Sequence, residues 1–445
     1  MAKVYVVHCV DTEGPLYQDF IIPFQMIKEM YGISIEPTKE NLSKLQRKEI
    51  LLNGHEDAIA EIVDPHRIKY HGDWNELDKT LELITSDSFR NKLVDSCGSG
   101  WKYSWFCMDH VGFCGDNPRR RDAGFHKIYD RYKEMINTQN RGDIVQFHFH
   151  PVAHYGNFND SGITFWRGDT LNEIICRGII DRGFFPTAFR PGFHTERPDS
   201  HWFLEQWIPF DYGNQSGFDT VGQPDMDYGR FGNWKGASEE WYPYHPDHDD
   251  YRKKGNCRRW ITRCLNMYAR ARQIELVHVE QAFEQAREGK NALLAFTGHD
   301  YKDVVHEINR VRDLISLVSE KYNDVEFEYQ DAVTAYKKCL ELKEEKFKLN
   351  AKIEREESGL YRLLVNTNNT VFGPQPYLAI RDINGKYFWD NFDFVKDDTW
   401  TYVFDHNTVF INDVDQIGIA ANNKCGNTCV VRLSNVKSDL RGCEY

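Results

Sequence analysis

Five short apolar runs, separated by segments of helical periodicity, each stop at ionisable side chains, and this alternation restricts the chain to a small set of folds. Residues 3–10 stop at Asp11-Thr12-Glu13, residues 101–108 at Asp109-His110, and Asp143-Ile144-Val145-Gln146-Phe147 at His148-Phe149-His150. Phe184 to Phe189 stops at Arg190, and Asn291 to Thr297 at Gly298-His299-Asp300. Helical patterns at residues 123–138, 169–182, 278–288, 302–322 and 330–342 fill the intervals. Such alternation predicts parallel βαβ units in an α/β fold. Parallel strands present ligand and catalytic groups at their C-terminal ends, so the polar stops are expected to share one rim.

Chemistry is densest at Phe147-His148-Phe149-His150-Pro151-Val152-Ala153-His154. Imidazole is the commonest side-chain metal ligand and titrates near neutrality. Residues two apart on a strand face the same way, so His148 and His150 can point at one centre. Pro151 disfavours a helical His150 and sends the chain into a turn from which His154 can return. Asp11 and Glu13, also two apart, can converge on one cation. Arg190 at its own strand end needs a buried carboxylate, and Asp11 is the natural partner. The plain structural reading of each residue alone is a satisfied strand end or turn; the ordered set argues for a site.

The remaining chain divides by pattern. Residues 19–121 read as a long insertion with helical patterns at 39–52 and 74–94, the second preceded by Asp73 and Glu76 in capping-box spacing. Residues 207–260, rich in Trp, Tyr, Gly, Pro and His, read as long loops over a site, with His245 to Asp250 a solvated loop. The first domain is placed at residues 1–342. A Glu- and Lys-rich stretch, 343–357, reads as a linker, and residues 358–445 alternate like a small β-sandwich. A net charge of −13, with no basic run, speaks against nucleic acid as partner. No apolar run reaches membrane length. Eleven cysteines without a secretion signal fit a reducing compartment, and a cytoplasmic location is expected.

The ordered strand ends Asp11 and Glu13, the histidine cluster, Arg190-Pro191, Asp211, and His299 with Asp300 resemble the NodB-type polysaccharide deacetylases, carbohydrate esterase family four. The resemblance covers about residues 3–335 and implies a distorted (β/α) barrel of the polysaccharide-deacetylase type, followed by the C-terminal all-β domain. It implies Asp11 as catalytic base, Arg190 as the residue that orients it, His299 as acid, and one divalent metal, zinc being the expected ion. Glu13 would be the metal carboxylate, with imidazoles from His148, His150 and His154. The family's own spacing is His-x-x-x-His, which selects His150 and His154; counting from Gly142 selects His148 and His150 instead, and both choices stay open. Asp211, Asp109 and His110 are candidate substrate-binding residues. The implied substrate is an N-acylated sugar, nucleotide- or lipid-linked, used in surface-polysaccharide assembly. The competing readings are a non-catalytic carbohydrate-binding or scaffold protein on the same barrel, and a hydrolase of a non-sugar amide.

Overall fold

The computed structural model describes residues 2–109, 126–150, 165, 169–196, 198–217, 232–269, 272–434 and 436. Seven parallel strands close into a barrel: β1 (Val4–Thr12), β2 (Tyr103–Met108), β3 (Ile144–Phe149), β4 (Ala188–Pro191), β5 (Phe210–Asn214), β6 (Trp260–Asn266) and β7 (Ala292–His299). Closure comes from β1, which pairs along most of its length with β7 and, over His8–Thr12, with β2. Beside Val4–Val6 the place of β2 is taken by a short eighth strand, β8 (Phe327–Tyr329).

Between β1 and β2 run α1 (Ile22–Tyr31), α2 (Lys39–Gln46), α3 (Glu56–Ile62), α4 (Pro65–Ile68), α5 (Trp74–Thr85) and α6 (Asp87–Arg90). The segment read as an insertion over 19–121 therefore contains a barrel strand, since β2 lies between β1 and β3. Asp73 caps α5 as its spacing predicts, accepting from the Glu76 N–H at 2.9 Å; the reciprocal Glu76 carboxylate takes the Gly72 N–H at 3.0 Å. The later helices are α7 (Lys127–Gln139), α8 (Thr170–Arg182), α9 (Pro198–Trp207), α10 (Leu276–Arg287), α11 (Val304–Lys321) and α12 (Ala332–Cys339). No helix among the described residues is long and apolar enough to cross a membrane.

Strand parity sorts the core. Tyr5, Val7, Cys9, Phe106, Ala188, Phe210, Tyr212, Cys264, Leu293 and Ala295 form one buried cluster with Ala332, Ala335, Tyr336 and Cys339 of α12. These are the inward positions, and α12 plugs the end where the strands begin: the Tyr336 hydroxyl donates to the carbonyls of Asp211 and Trp260, at 2.6 and 3.2 Å. The opposite parity, including Val4, Val6, Val10, Trp105, Leu294 and Phe296, packs outward under the helices. With one end filled and plugged, the C-terminal strand ends form the accessible rim.

The C-terminal region is built from two antiparallel four-stranded sheets. One contains β9 (Leu349–Arg355), β10 (Tyr361–Thr367), and later β13 and β14; the other contains β11 (Tyr377–Asp382), β12 (Tyr387–Asp390), β15 (Val414–Asn422) and β16 (Thr428–Ser434), with β13 at Asp393–Lys396 and β14 at Thr399–Phe404. Leu363, Val365, Trp400 and Tyr402 of one sheet share a core with Leu378, Ile380, Ile417 and Ile419 of the other. The stretch 343–357 is thus more than a linker, because β9 pairs residue for residue with β10. Its Lys and Glu residues occupy outward positions while Leu349 is buried, so a strand was hidden by charge on its solvent face. Helix α8 packs against this region, and Ile179 and Phe185 join Tyr377, Ala379 and Ala420 in a common core.

Candidate metal centre

Glu13, His148 and His150 converge at the C-terminal rim, and their ligand atoms all lie within 4.8 Å of one another. Nε2 of His148 and Nε2 of His150 are 2.9 Å apart, and they lie 3.5 and 3.3 Å from Glu13 Oε1. Tetrahedral zinc with bonds of about 2.0–2.1 Å spaces its ligands about 3.3 Å apart, so this donor set fits a small divalent cation. The His148 ring is held in a ligating orientation, because its Nδ1 lies 2.9 Å from the Arg190 carbonyl, which can only accept. The Nδ1 proton is therefore committed to the main chain, and the Nε2 lone pair faces the cluster. Three protein donors leave room in the coordination sphere for further ligands.

Beside these donors sits a buried ion pair. Arg190 Nε donates to Asp11 Oδ1 at 2.6 Å and Nη2 donates to Oδ2 at 3.0 Å. Burial by itself would raise the Asp11 pKa, but the Arg190 guanidinium and then His148 overcome it and hold the carboxyl well below the usual carboxylate range. Arg190 is held in turn by the Tyr212 carbonyl at 2.6 Å, and its Nη2 meets His194 Nδ1 at 3.0 Å. His299, at the end of β7, places Nε2 3.8 Å from Glu13 Oε1 and keeps 22% of its side chain exposed, more than the neighbouring Asp11, Glu13, His148 or His150. Burial, then Lys302, pushes its pKa well below the ordinary histidine value, so the resting ring is neutral.

His194 carries no signal in the sequence, because it follows a Pro-Gly pair in a stretch without period. Phe193 and His194 both have positive φ, 52° and 51°, a left-handed pair of non-glycine residues. Such strain persists where surroundings enforce it and concentrates at functional sites. Here the pair lays the Phe193 ring edge-on to the His150 ring, at 4.9 Å, and brings His194 to Arg190.

Other expected residues lie elsewhere. Asp211 belongs to the outward parity of β5 and joins a second buried network, accepting from Arg259 Nε at 3.2 Å; Glu196 and Glu205 take the remaining guanidinium nitrogens, each at 3.1 Å. Asp109, just past β2, pairs with His126 Nδ1 at 3.0 Å instead of joining the cluster. His110 and His154 lie outside the described residues. Within residues 207–260, the stretch read as loops, β5 provides the Tyr212 carbonyl that holds Arg190.

No protein-family model matches the chain, and no curated protein matches it. Among solved structures, a crystal structure of bovine butyrophilin is similar at 12% identity with a TM-score of 0.14, over 25% of this chain and 46% of that one, so the match spans just under half of that protein.

Proposed function

We propose that the protein is a metal-dependent amide hydrolase of the polysaccharide-deacetylase type, removing an N-acyl, foremost an N-acetyl, group from a sugar or sugar conjugate in surface-polysaccharide biosynthesis. The observation that carries this reading is the convergence of Glu13, His148 and His150 beside an Arg190-locked Asp11 and a partly exposed His299, all on one rim. A divalent ion, zinc foremost, held by those three side chains would supply Lewis acidity toward water and toward an acyl oxygen. Asp11, ionised because of Arg190, has a carboxylate fixed at the rim and free of a proton, so it can orient a water there and receive a proton from it. Arg190 keeps the carboxylate from rotating away, and the carboxylate oxygens retain lone pairs beyond those facing the guanidinium. His299, neutral at rest, can take up that proton and deliver it to the departing amine, which would otherwise leave as a poor anion.

The test combines metal analysis with product analysis. Purified protein supplemented with zinc, cobalt or manganese should retain about one ion per chain and release acetate from N-acetylhexosamine conjugates. A chain that retains no ion after supplementation refutes the metal reading and leaves a carbohydrate-binding or scaffold protein. Retained metal with release of formate or ammonia from other amides, and none of acetate from sugars, moves the substrate class instead.

A further inference from the structure

We propose that Asp300 is a positioning residue that holds the Glu13 turn in ligating geometry by accepting the main-chain N–H groups of Glu13 and Gly14, just past the end of β1. The register between β1 and β7 ends at Asp11 opposite His299. Beyond that point the two chains part, and the Asp300 N–H makes a last long bond, 3.3 Å, to the Asp11 carbonyl. From there the Asp300 side chain continues the ladder: Oδ1 accepts the Glu13 N–H at 3.0 Å and Oδ2 accepts the Gly14 N–H at 2.9 Å. Oδ2 also accepts from the Tyr132 hydroxyl at 2.7 Å, which ties the carboxylate to α7. Gly14 has φ of 70°, and a side chain there would press on the Trp74 ring at 3.1 Å, so the turn has one conformation to offer.

The carboxylate is 1% exposed, so its bonds form out of contact with water and are charge-assisted. A neutral amide cannot replace it. Asparagine would accept one of the two N–H groups and turn its own N–H toward the other, which frees the turn at Glu13. Because Asp300 follows His299 directly, one residue fixes the main chain of both Glu13 and His299 across the rim.

This inference rests on the metal reading for its purpose but is separable from it in experiment. In metal-free protein, Asp300→Asn should speed hydrogen–deuterium exchange in peptides containing the Glu13 and Gly14 amides while leaving peptides of β5 and β6 unchanged. In the cobalt-loaded protein the same variant should weaken the metal about 10-fold or more, in line with losses of outer ligand partners, and alter the visible cobalt spectrum. Tyr132→Phe, which keeps the carboxylate and removes a single bond, should give the same changes at smaller amplitude. Asp143→Asn is the matched control: that buried carboxylate accepts from Arg90 and from the Tyr103 N–H before β3, at the opposite end of the barrel. It should lower the melting temperature with cobalt affinity and spectrum intact. If wild-type protein binds no cobalt, the metal reading falls while the exchange result still judges Asp300. If wild-type binds cobalt and both Asp300→Asn and Tyr132→Phe match it in exchange, affinity and spectrum, Asp300 does not position Glu13. Should Asp300→Asn fail to fold, Tyr132→Phe decides alone.

Discussion

Arg190→Met removes the cation from the centre of the site and leaves a carboxylate where water does not reach. Asp11 and Arg190 side chains are 3% and 0% exposed, and two hydrogen bonds of 2.6 and 3.0 Å join them. Breaking such a buried pair from one side costs about 3–5 kcal/mol, because the remaining charge is uncompensated. Methionine fills much of the arginine stem's volume, so packing loss is secondary. The pH dependence gives the prediction its sign. In the wild type Asp11 titrates below its ordinary value, so its favourable contribution is present above the unfolded-state pKa and is lost only as the pH falls through the lowered one. In the variant the largest influence opposing burial is gone, Asp11 titrates higher than in the wild type, and the stability deficit relative to the wild type grows as the pH rises. Urea unfolding of both proteins should therefore show the full deficit near about pH 8 and a much smaller one near about pH 4. Adding Asp11→Asn to Arg190→Met removes both charges and should recover a coupling energy of about 2 kcal/mol or more. A double variant that costs the sum of its singles, or a single-variant deficit independent of pH, would refute the account.

Glu307 on α11 is 2% exposed, its Oε2 meets no hydrogen-bond partner among the described residues, and burial raises its pKa from 4.5 to about 7. Its proton is held more tightly in the folded state, so stability should decline as the pH rises from the unfolded value through about 7. At about 1.4 kcal/mol per pKa unit, Glu307→Gln should gain about 3 kcal/mol above that range and nothing below it, measured as thermal stability against pH; a constant difference across pH overturns the reasoning. Asp211→Asn should destabilise the fold through Arg259 yet leave metal affinity at the wild-type value, and calorimetric titration with zinc that shows a weakened site would return Asp211 to the centre. His148→Ala should abolish metal retention even though His150 remains beside Glu13, since Nε2 of His148 is the donor whose tautomer is fixed; full occupancy assigns the ligands elsewhere.

Strands announce themselves in the sequence wherever burial on both faces demands apolar residues. β1 is buried along its whole length and reads so. β6 is hidden because Arg263 sits within it, wholly buried, its charge carried outward to the Ser216 and Glu239 carbonyls at 2.8 Å each. β2 reads as a strand yet falls within the segment read as an insertion, for pairing is a non-local property: nothing near Tyr103 indicates that β1, its neighbour on one side, lies about ninety residues away in the chain. Asp211 falls on the unexpected side for a related reason. Parity in β5 is set by which of Phe210 and Asp211 turns inward, and a five-residue strand gives the pattern too few alternations to decide it.

The centre divides along the same line. Glu13, His148 and His150 are side chains that meet other side chains, and the two-residue spacing of the histidines puts their part of that meeting in the sequence. The residues that aim them work through the main chain. His148 is oriented by the Arg190 carbonyl, Arg190 by the Tyr212 carbonyl, and the Glu13 turn by its own N–H groups on Asp300. A main-chain partner is the same atom whatever residue bears it, so such contacts impose nothing on residue type at one end and only a bare donor or acceptor at the other. Donors can thus be found from spacing alone, whereas the groups that hold them in place become visible only when the strands are set side by side. It follows that a substitution preserving all three donors can still dismantle the site, and that Asp300, adjacent to His299 and bonded to the Glu13 main chain, is where such a substitution acts most directly.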